Sequence, residues 1–154
     1  MCGITCQASP EQGIVGVRPN VNGTIQTLTD WTIPATNCDW KLVAPAGCRV
    51  ELWFEWFELE TVSNGDSVDD CRQYVKLWDG DEGAPYLGFA RNFFKGTPYC
   101  EGAEIGSLMA PSPSDVMRSS GTTVAMRFRT DDLVEDRTLR NGTGFVMRHR
   151  AICD

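Results

Sequence analysis

Carboxylate side chains gather in the segment FELETVSNGDSVDDCRQYVKLWDG, which spans residues 57–80. Glu60 ends an aromatic-rich stretch, and three more acids follow in a polar loop, at Asp66, Asp69 and Asp70. Oxygen ligands of this kind can hold Ca²⁺, and paired acids can carry out acid–base catalysis. A charged loop can also simply be solvated. The residue types alone leave these three interpretations open.

Other groups able to carry out catalysis are scarce in the chain. His149 is the single histidine and lies between arginines, so the pattern favours a structural or surface role over that of a catalytic base. Glu51 and Glu55 share a strand face with Trp53 and could flank a sugar as paired acids, although such acids more commonly protect a sheet from aggregation. The sequence contains no Gly-x-Ser-x-Gly, HExxH or phosphate-loop motif. It therefore predicts a protein that is not an enzyme.

A second acidic motif, DGDEG at 79–83, looks like a fragment of an EF-hand calcium loop. It lacks the later ligands and the distal glutamate that such a loop needs. The motif instead predicts a tight turn at the end of a strand.

Length and charge narrow the classes of partner. The chain has 154 residues, enough for one domain around one core. Its formal net charge of −7 argues against nucleic acid and anionic membranes as partners. Arginines gather late in the chain, in RFR at 127–129, at Arg137 and Arg140, and in RHR at 148–150. Strand alternation would place many of them on a solvent face.

Targeting signals are not evident in the sequence. No apolar run approaches the roughly 20 residues that span a bilayer, so membrane insertion is not expected. The first residues, MCGITCQASPEQG, lack the basic start and the apolar stretch of an intact signal peptide. On this evidence the chain is either cytosolic or a mature or excised segment.

Seven cysteines are many for this length, and they bear on the compartment. They form no CxxC pair, and the chain has only one histidine, so a zinc site is poorly supported. Two sequons begin at Asn22 and Asn141 and predict N-glycosylation. Cysteines and sequons together favour an extracellular setting, secreted or at the cell surface. The odd count leaves one cysteine free or bonded to another chain.

Alternation of apolar and polar residues predicts strands along most of the chain. In RVELWFEWFELE, at 49–60, alternate residues from Val50 onward are apolar, and a phase shift near Trp56 predicts a β-bulge. Turn residues separate the strands, no window shows a capped helical period, and 101–115 is predicted to be a long loop. The pattern indicates an all-β sandwich. Further strands are predicted at 38–45, 73–80, 122–132 and 144–153.

Seven short motifs follow one another along the chain. They are Cys38, Trp40 and Leu42; Pro45 and Gly47; Val50, Leu52, Phe54, Phe57, Leu59 and Glu60; Tyr74, Val75, Leu77, Asp79 and Gly80; Leu87 and Gly88; Ser119, Ser120 and Gly121; and Phe128, Thr130 and Asp131 with Gly144 and Phe145. Their order and spacing resemble the CUB domain family. The resemblance implies a jelly-roll sandwich of two antiparallel sheets, found in extracellular proteins.

The resemblance covers residues 38–153. Residues 1–37 diverge from the family, whose opening run is only echoed at 13–20, and the loop at 101–118 is longer than usual for the family. We expect one CUB-like domain over 1–154.

The resemblance also implies two disulfides, one from an N-terminal cysteine to the first matching strand and one that closes the acidic loop. Seven cysteines do not determine their own connectivity, so a third pairing is less constrained. The pairings expected on this basis are Cys6–Cys38, Cys71–Cys100 and Cys2–Cys153, which leave Cys48 over.

Calcium binding at one end of the sandwich is a further implication of the resemblance. Glu60 and Asp131 match carboxylate ligands of the family, but Gln73 stands where a third carboxylate is expected. A glutamine carbonyl can ligate calcium without contributing charge. Asp69 or Asp70 could compensate for the missing charge, and Asp132 is a further candidate ligand from a loop. The alternative is that these acids form a solvated loop.

Aromatic side chains supply the remaining candidate contacts. Trp53 falls out of phase with its buried neighbours, so an exposed tryptophan beside acids would suit a protein or a glycan. A covering loop would explain the same pattern. We take Trp53, Trp56, Phe93 and Phe94 as contact candidates.

Three functions remain open. The first is a non-enzymatic extracellular protein–protein interaction module, part of a larger protein or assembly. Its contact site is the loop end that bears Glu60, Asp69, Asp70 and Asp131, with calcium as the candidate organiser. The second is a structural building block of an extracellular filament or matrix. The third is a glycan-binding β-sandwich that uses Trp53 or Trp56. The partners are accordingly other extracellular proteins, copies of the chain itself, or a glycan.

Overall fold

The structure, a computed structural model, describes the chain in nine stretches. These are residues 6, 8–27, 36–58, 63–64, 67–68, 74–91, 107–109, 112–130 and 144–153. Within them there is no helix, and so none that could cross a membrane.

The described residues form thirteen strands. Their bounds are β1 Ala8–Ser9, β2 Gly13–Gly16, β3 Gly23–Thr27, β4 Thr36–Val43, β5 Cys48–Glu58, β6 Ser63–Asn64, β7 Ser67–Val68, β8 Tyr74–Trp78, β9 Tyr86–Arg91, β10 Ser107–Met109, β11 Met117–Arg118, β12 Thr123–Thr130 and β13 Gly144–Cys153.

Eleven of these strands make two facing sheets. Sheet I has the order β1-β3-β13-β5-β11, and all of its pairs are antiparallel. Sheet II has the order β10-β9-β8-β12-β4-β2, with parallel pairs at its two edges, β10–β9 and β2–β4. Strands β6 and β7 pair with each other. This arrangement confirms the predicted β-sandwich.

The core fills the space between the two sheets, as the alternating pattern predicted. Phe54, Phe128 and Phe145 are fully buried, and their rings meet edge to face, with centroids 5.9 Å apart for Phe54–Phe145 and 4.9 Å for Phe128–Phe145. Edge-to-face packing is a favoured geometry for aromatic pairs. The aromatic cluster therefore joins β5 and β13 of sheet I to β12 of sheet II.

The predicted bulge is present in β5. Val146 of β13 lies opposite Trp56, whereas the next residue, Met147, lies opposite Phe54, so Glu55 is the extra residue. The bulge turns Trp56 outward, where it is 39% exposed, and returns Phe57 to the core at 8%. A bulge re-aims side chains in this way because one residue leaves the pairing.

The five predicted strands correspond to β4, β5, β8, β12 and β13, whereas the other eight described strands were not predicted, and the loop expected in one segment is wrong. The segment 101–115, predicted to be a loop, contains β10, which pairs in parallel with β9. The prediction was wrong there because a strand of three residues is too short to show alternation.

The first expected disulfide is confirmed. Cys6 and Cys38 are bonded, with their Cα atoms 4.9 Å apart. Cys38 lies on the inner face of β4 and is fully buried. The bond therefore attaches the divergent N-terminal segment to the core.

The pairing expected for Cys153 is wrong, because Cys153 bonds Cys48 and not Cys2. Cys48 opens β5 and Cys153 closes β13, and the antiparallel register sets them directly opposite, with Cα atoms 4.2 Å apart. A short separation of this kind is typical of the non-hydrogen-bonded positions of an antiparallel pair. Three cysteines lie outside the described residues, so Cys71–Cys100 stays a prediction and the partner of Cys2 is open.

Replacing both Cys48 and Cys153 by alanine should lower the free energy of unfolding by about 4–5 kcal/mol, because their bond closes a sequence separation of 105 residues. The matched double replacement of Cys6 and Cys38 should cost about 3–4 kcal/mol for a separation of 32. Urea denaturation of both variants measures the difference. A larger loss for the shorter loop would contradict this account.

Candidate functional site

All of the predicted calcium ligands lie outside the described residues. They are Glu60, Asp69, Asp70, Gln73, Asp131 and Asp132. Within the described stretches, no group of three His, Cys, Asp or Glu side chains is placed to hold a metal ion. The described part of the chain therefore bears on the predicted site through the strands that adjoin it.

Three of those strands lead directly to predicted ligands. β5 ends two residues before Glu60, β8 begins directly after Gln73, and β12 ends directly before Asp131. Since strand ends in a sandwich lie at one edge or the other, the register decides whether these three come together.

The register and the ring contacts place the three strand ends on one side. In sheet II, Tyr74 at the start of β8 lies opposite Arg129 near the end of β12. In sheet I, Phe57 near the end of β5 lies opposite Phe145 at the start of β13. Phe145 in turn contacts Phe128, which precedes Arg129 in β12. We call this edge of the sandwich the loop end.

The start of β13 is held firmly at the loop end. The Phe145 N–H donates to Thr27 Oγ1 at 3.1 Å, and that hydroxyl donates in turn to the Phe145 carbonyl at 3.4 Å. Gly144 has a φ of +138°, and a Cβ at this position would lie 2.0 Å from Thr27 Oγ1. Only glycine combines that backbone angle with so close an approach.

A different constellation lies on the outer face of sheet I, around Glu51. The register places Arg118 of β11 on one side of Glu51 and Arg150 of β13 on the other. Arg118 Nε donates to Glu51 Oε2 at 2.7 Å, and Arg150 Nε donates to Oε1 at 2.6 Å. The Glu51 side chain is 3% exposed, whereas those of Arg118 and Arg150 are 57% and 50% exposed. We call these three residues the Glu51 row.

Two opposing effects act on the pKa of Glu51. Burial raises the pKa, because it disfavours the charged form, while the hydrogen bonds and charges of Arg118 and Arg150 lower it. The arginines prevail, and the pKa lies below its usual 4.5. Glu51 is therefore an anion at neutral pH whose two oxygens are both occupied.

The interpretation of Glu51 and Glu55 as paired acids loses its main support. Glu51 Oε1 and Oε2 accept from guanidinium groups, and Glu55 Oε2 lies 3.1 Å from Arg148 Nη2. Each carboxylate is thus an ion-pair partner within sheet I. The sequence pattern placed both residues on the outer face correctly, but it gave no sign of the arginines that surround them.

The aromatic contact candidates have different environments. Trp53 is half-buried, and the guanidinium carbon of Arg150 lies 5.7 Å from its ring centroid, within cation–π range. Trp56 is exposed beside the bulge. Phe93 and Phe94 lie outside the described residues. Of the four, Trp56 is the one that the structure shows exposed to solvent.

His149 lies in the core rather than on the surface. It points to the inner side of β13, is 4% exposed, and pairs in register with Leu52 and Gly23. Its ring fills the space beside Gly23, where an added Cβ would come within 2.0 Å of it. Burial lowers its pKa below 6.5, and its Nδ1 has no hydrogen-bond partner among the described residues. His149 is therefore a neutral core residue.

A network on the outer face of sheet II was not anticipated from the sequence. Arg127 donates to Asp39 and to Glu82, each at 2.8 Å, and its guanidinium carbon lies 5.5 Å from the ring centroid of Trp78. Trp78 stacks on Tyr86, with centroids 5.8 Å apart. The signal that could have revealed it is strand pairing, since Arg127 and Asp39 lie opposite each other in β12 and β4.

The acidic motif at 79–83 is a turn after β8, as predicted. The Asp79 N–H donates to the Pro85 carbonyl at 2.8 Å, and Asp79 Oδ1 accepts from the Ser120 N–H at 2.8 Å. Gly80 has a φ of +133°. Of the two predicted glycosylation sites, Asn22 is exposed just before β3, and Asn141 lies outside the described residues.

Sequence comparison gives relatives among the Tolloid-like proteins. The chain is 34% identical to human Tolloid-like protein 2 over 113 residues, which are 73% of this chain and 8% of that protein. It is 29% identical to mouse Tolloid-like protein 1 over 130 residues, 82% of this chain and 10% of that protein. The chain thus spans about a tenth of the length of these curated relatives. No protein-family model matches it.

Solved structures share the fold. The CUB1-EGF-CUB2 domain of human MASP-1/3 matches with a TM-score of 0.53 and 23% identity, over 88% of this chain and 43% of that one. The full extracellular region of zebrafish Gpr126/Adgrg6 matches with a TM-score of 0.53 and 19% identity, over 93% of this chain and 15% of that one. At these identities the likeness concerns the fold alone.

Replacing Glu51 by glutamine should lower the free energy of unfolding by about 1–3 kcal/mol, because two charge-assisted hydrogen bonds to a buried group are weakened. Replacing Glu55 by glutamine is the matched control. Its side chain is 44% exposed, so its pair with Arg148 should contribute less than about 1 kcal/mol. Urea denaturation at neutral pH compares the two, and equal losses would contradict the importance of the Glu51 row.

Acidification should weaken the fold through His149. Because the folded-state pKa is below 6.5, the unfolded chain takes up the proton first as the pH falls. The contribution of neutral His149 to the free energy of unfolding is therefore fully present above pH 6.5. Below that pH it declines, by at most about 1.4 kcal/mol per pH unit. Urea midpoints at pH 7.5, 6.5 and 5.5 test this, with a His149→Leu variant as control. An unchanged decline in that variant would assign the effect to other groups.

Proposed function

Because this chain is a CUB domain by its fold and its sequence pattern, we propose that it is a non-enzymatic extracellular module that binds another protein at its loop end. The observation that carries the proposal is the convergence of β5, β8 and β12 at that edge. These strands adjoin Glu60, Gln73 and Asp131, the residues that match the family's ligand positions.

The environment of the chain agrees with this role. The module is extracellular, and the bonds Cys6–Cys38 and Cys48–Cys153 are of the kind that persist in oxidising compartments. The chain spans about a tenth of the length of its curated relatives. We therefore propose only a binding function for it and transfer no other activity of those proteins.

Calcium would organise the loop end. Glu60 and Asp131 would supply carboxylates, and Gln73 would supply a neutral carbonyl, a donor set of the hard oxygen type that calcium prefers. The charge missing at Gln73 would come from Asp69, Asp70 or Asp132. Bound calcium fixes the positions of its oxygen ligands, so the carboxylates at this edge would be held ready to pair with a partner's lysine or arginine.

The rigidity of the described edge supports such a role. The aromatic cluster, together with the Thr27 hydroxyl and Gly144, holds the strand ends in place from the core side. A binding site positioned by fixed strands loses less conformational entropy on association than one on free loops. The loop end therefore combines a rigid base with acid-rich connections.

Calcium at a free concentration of about 100 times its Kd should raise the free energy of unfolding by about 2.7 kcal/mol, since it binds the native state only. For a domain of this size that is a rise in Tm of about 5–10 °C over the same protein in EDTA. Differential scanning calorimetry with and without EDTA measures it. Glu60→Gln and Asp131→Asn should abolish the rise, and Gln73→Glu should enlarge it by restoring the missing charge.

The absence of any shift in the unaltered chain would exclude a stabilising ion. Binding of extracellular proteins to the immobilised chain, compared with the Glu60→Gln variant, then tests the module role itself. Undiminished capture by that variant would show that the loop end is not the binding site.

A further inference from the structure

Three arginines converge on the outer face of sheet I, away from the loop end. Arg49, Arg118 and Arg150 line an open depression of about 760 Å³, whose floor includes Glu51. The depression lies near the Cys48–Cys153 bond, at the start of β5 and the end of β13. Because β5 runs from this bond to the loop end, the depression and the loop end lie at opposite ends of the same strand.

The Glu51 row presents two guanidinium groups in a fixed orientation. Arg118 and Arg150 each use Nε to donate to Glu51. Their terminal nitrogens take part in no hydrogen bond within the described part of the chain, and half or more of each side chain is exposed. A buried carboxylate thus holds both groups from behind, while their NH₂ groups remain available to an oxyanion in front.

Arg49 adds a third cation that is not neutralised by the described residues. It is exposed on β5, and it makes no ion pair in the described stretches. Its register partner on β13 is Ile152, two residues from Arg150. Around Glu51 there are therefore three guanidinium groups and one carboxylate.

Part of the outer face of sheet I is cationic in an acidic protein. Among the side chains that the structure describes on β5, β11 and β13, four arginines and two glutamates face outward, a formal excess of two positive charges. The chain as a whole carries −7. These residues are Arg49, Arg118, Arg148, Arg150, Glu51 and Glu55. Concentrated charge of this sign attracts a polyanion locally, although the net charge repels one at a distance.

The residues that line the depression favour one class of anionic ligand over another. Protein interfaces depend on large apolar or aromatic anchors buried at their centre. Here the centre is the Glu51 row, and the nearest large aromatic, Trp53, lies to the side beneath the Arg150 guanidinium. The apolar residues that line the depression, Pro19 and Ile152 among them, include no aromatic side chain, and such an open, charged surface suits a ligand that binds through repeated anionic groups.

We infer that this surface binds a sulfated glycan chain, with sulfate groups on the free edges of Arg118, Arg150 and Arg49. The site is independent of the proposed calcium-organised loop end, and it requires no metal. It replaces the sequence-based idea of a glycan held by tryptophan and acids, because the acids here serve to position cations.

Binding of size-defined heparin oligosaccharides to the full chain in EDTA tests the inference. Surface plasmon resonance at several salt concentrations should show micromolar or tighter binding at low salt that weakens as salt is raised, because bound cations release counterions from the polyanion. EDTA removes any calcium from the loop end. A lack of heparin binding therefore leaves the calcium proposal unaffected, and a lack of calcium binding leaves the heparin proposal unaffected.

Three variants sharpen the test. Arg49→Gln removes a side chain with no described partner and should weaken binding about tenfold, with a salt slope reduced by about one. Arg150→Lys keeps the charge, but its single nitrogen is required by Glu51, so binding should fall to a similar extent. Arg127→Gln, on the outer face of sheet II, changes the net charge equally and should leave the affinity unchanged. Melting curves confirm that each variant is folded.

Four outcomes of the experiments with heparin would overturn the inference. They are no binding by the unaltered chain, equal weakening by Arg127→Gln and Arg49→Gln, undiminished binding by Arg150→Lys, and equal binding of desulfated heparin. A polyglutamate peptide of matched charge is the remaining arm. If it binds as tightly as heparin, the surface recognises acidic protein segments, and the glycan assignment fails.

Discussion

The pairing of β5 with β13 is the interaction on which the rest of the structure depends. It is the longest ladder among the described strands, running from Cys48–Cys153 at one end to Glu58 opposite Gly144 at the other. Its inner side supplies the fully buried Phe54 and Phe145 to the core. Its outer side carries the Glu51 row, and its far end forms part of the loop end. Both proposed binding regions therefore share one rigid element and are separated by its length.

A buried carboxylate is costly unless it is paired, and this cost explains the arrangement on the outer face of sheet I. Glu51 loses nearly all of its hydration, so two guanidinium groups must stay against it. Those groups are themselves largely exposed, which keeps their own desolvation small. As a result, the ion pairs with Glu51 orient the two guanidinium groups toward solvent. A stabilising interaction thus also prepares a surface with a definite ligand preference.

Much of the fold could be predicted from local patterns. Period-two alternation gave the faces of β5, β8, β12 and β13, because a half-buried strand must alternate in burial. The loss of phase near Trp56 gave the bulge for the same reason. The resemblance to the CUB family supplied the sandwich and the Cys6–Cys38 bond, both of which the structure confirms. Eight described strands of two to six residues escaped prediction, β10 among them, because so short a run shows little or no alternation.

What the sequence by itself determined is therefore five of the described strands and which of their residues share a face, together with the extracellular setting that the cysteines and sequons favour. Tertiary structure alone decided which residues from distant strands meet. Cys48 reaches Cys153 across 105 residues, and Glu51 reaches Arg118 and Arg150 across 67 and 99. The physical reason is that alternation is a local property of one strand, whereas register is set by the packing of whole sheets.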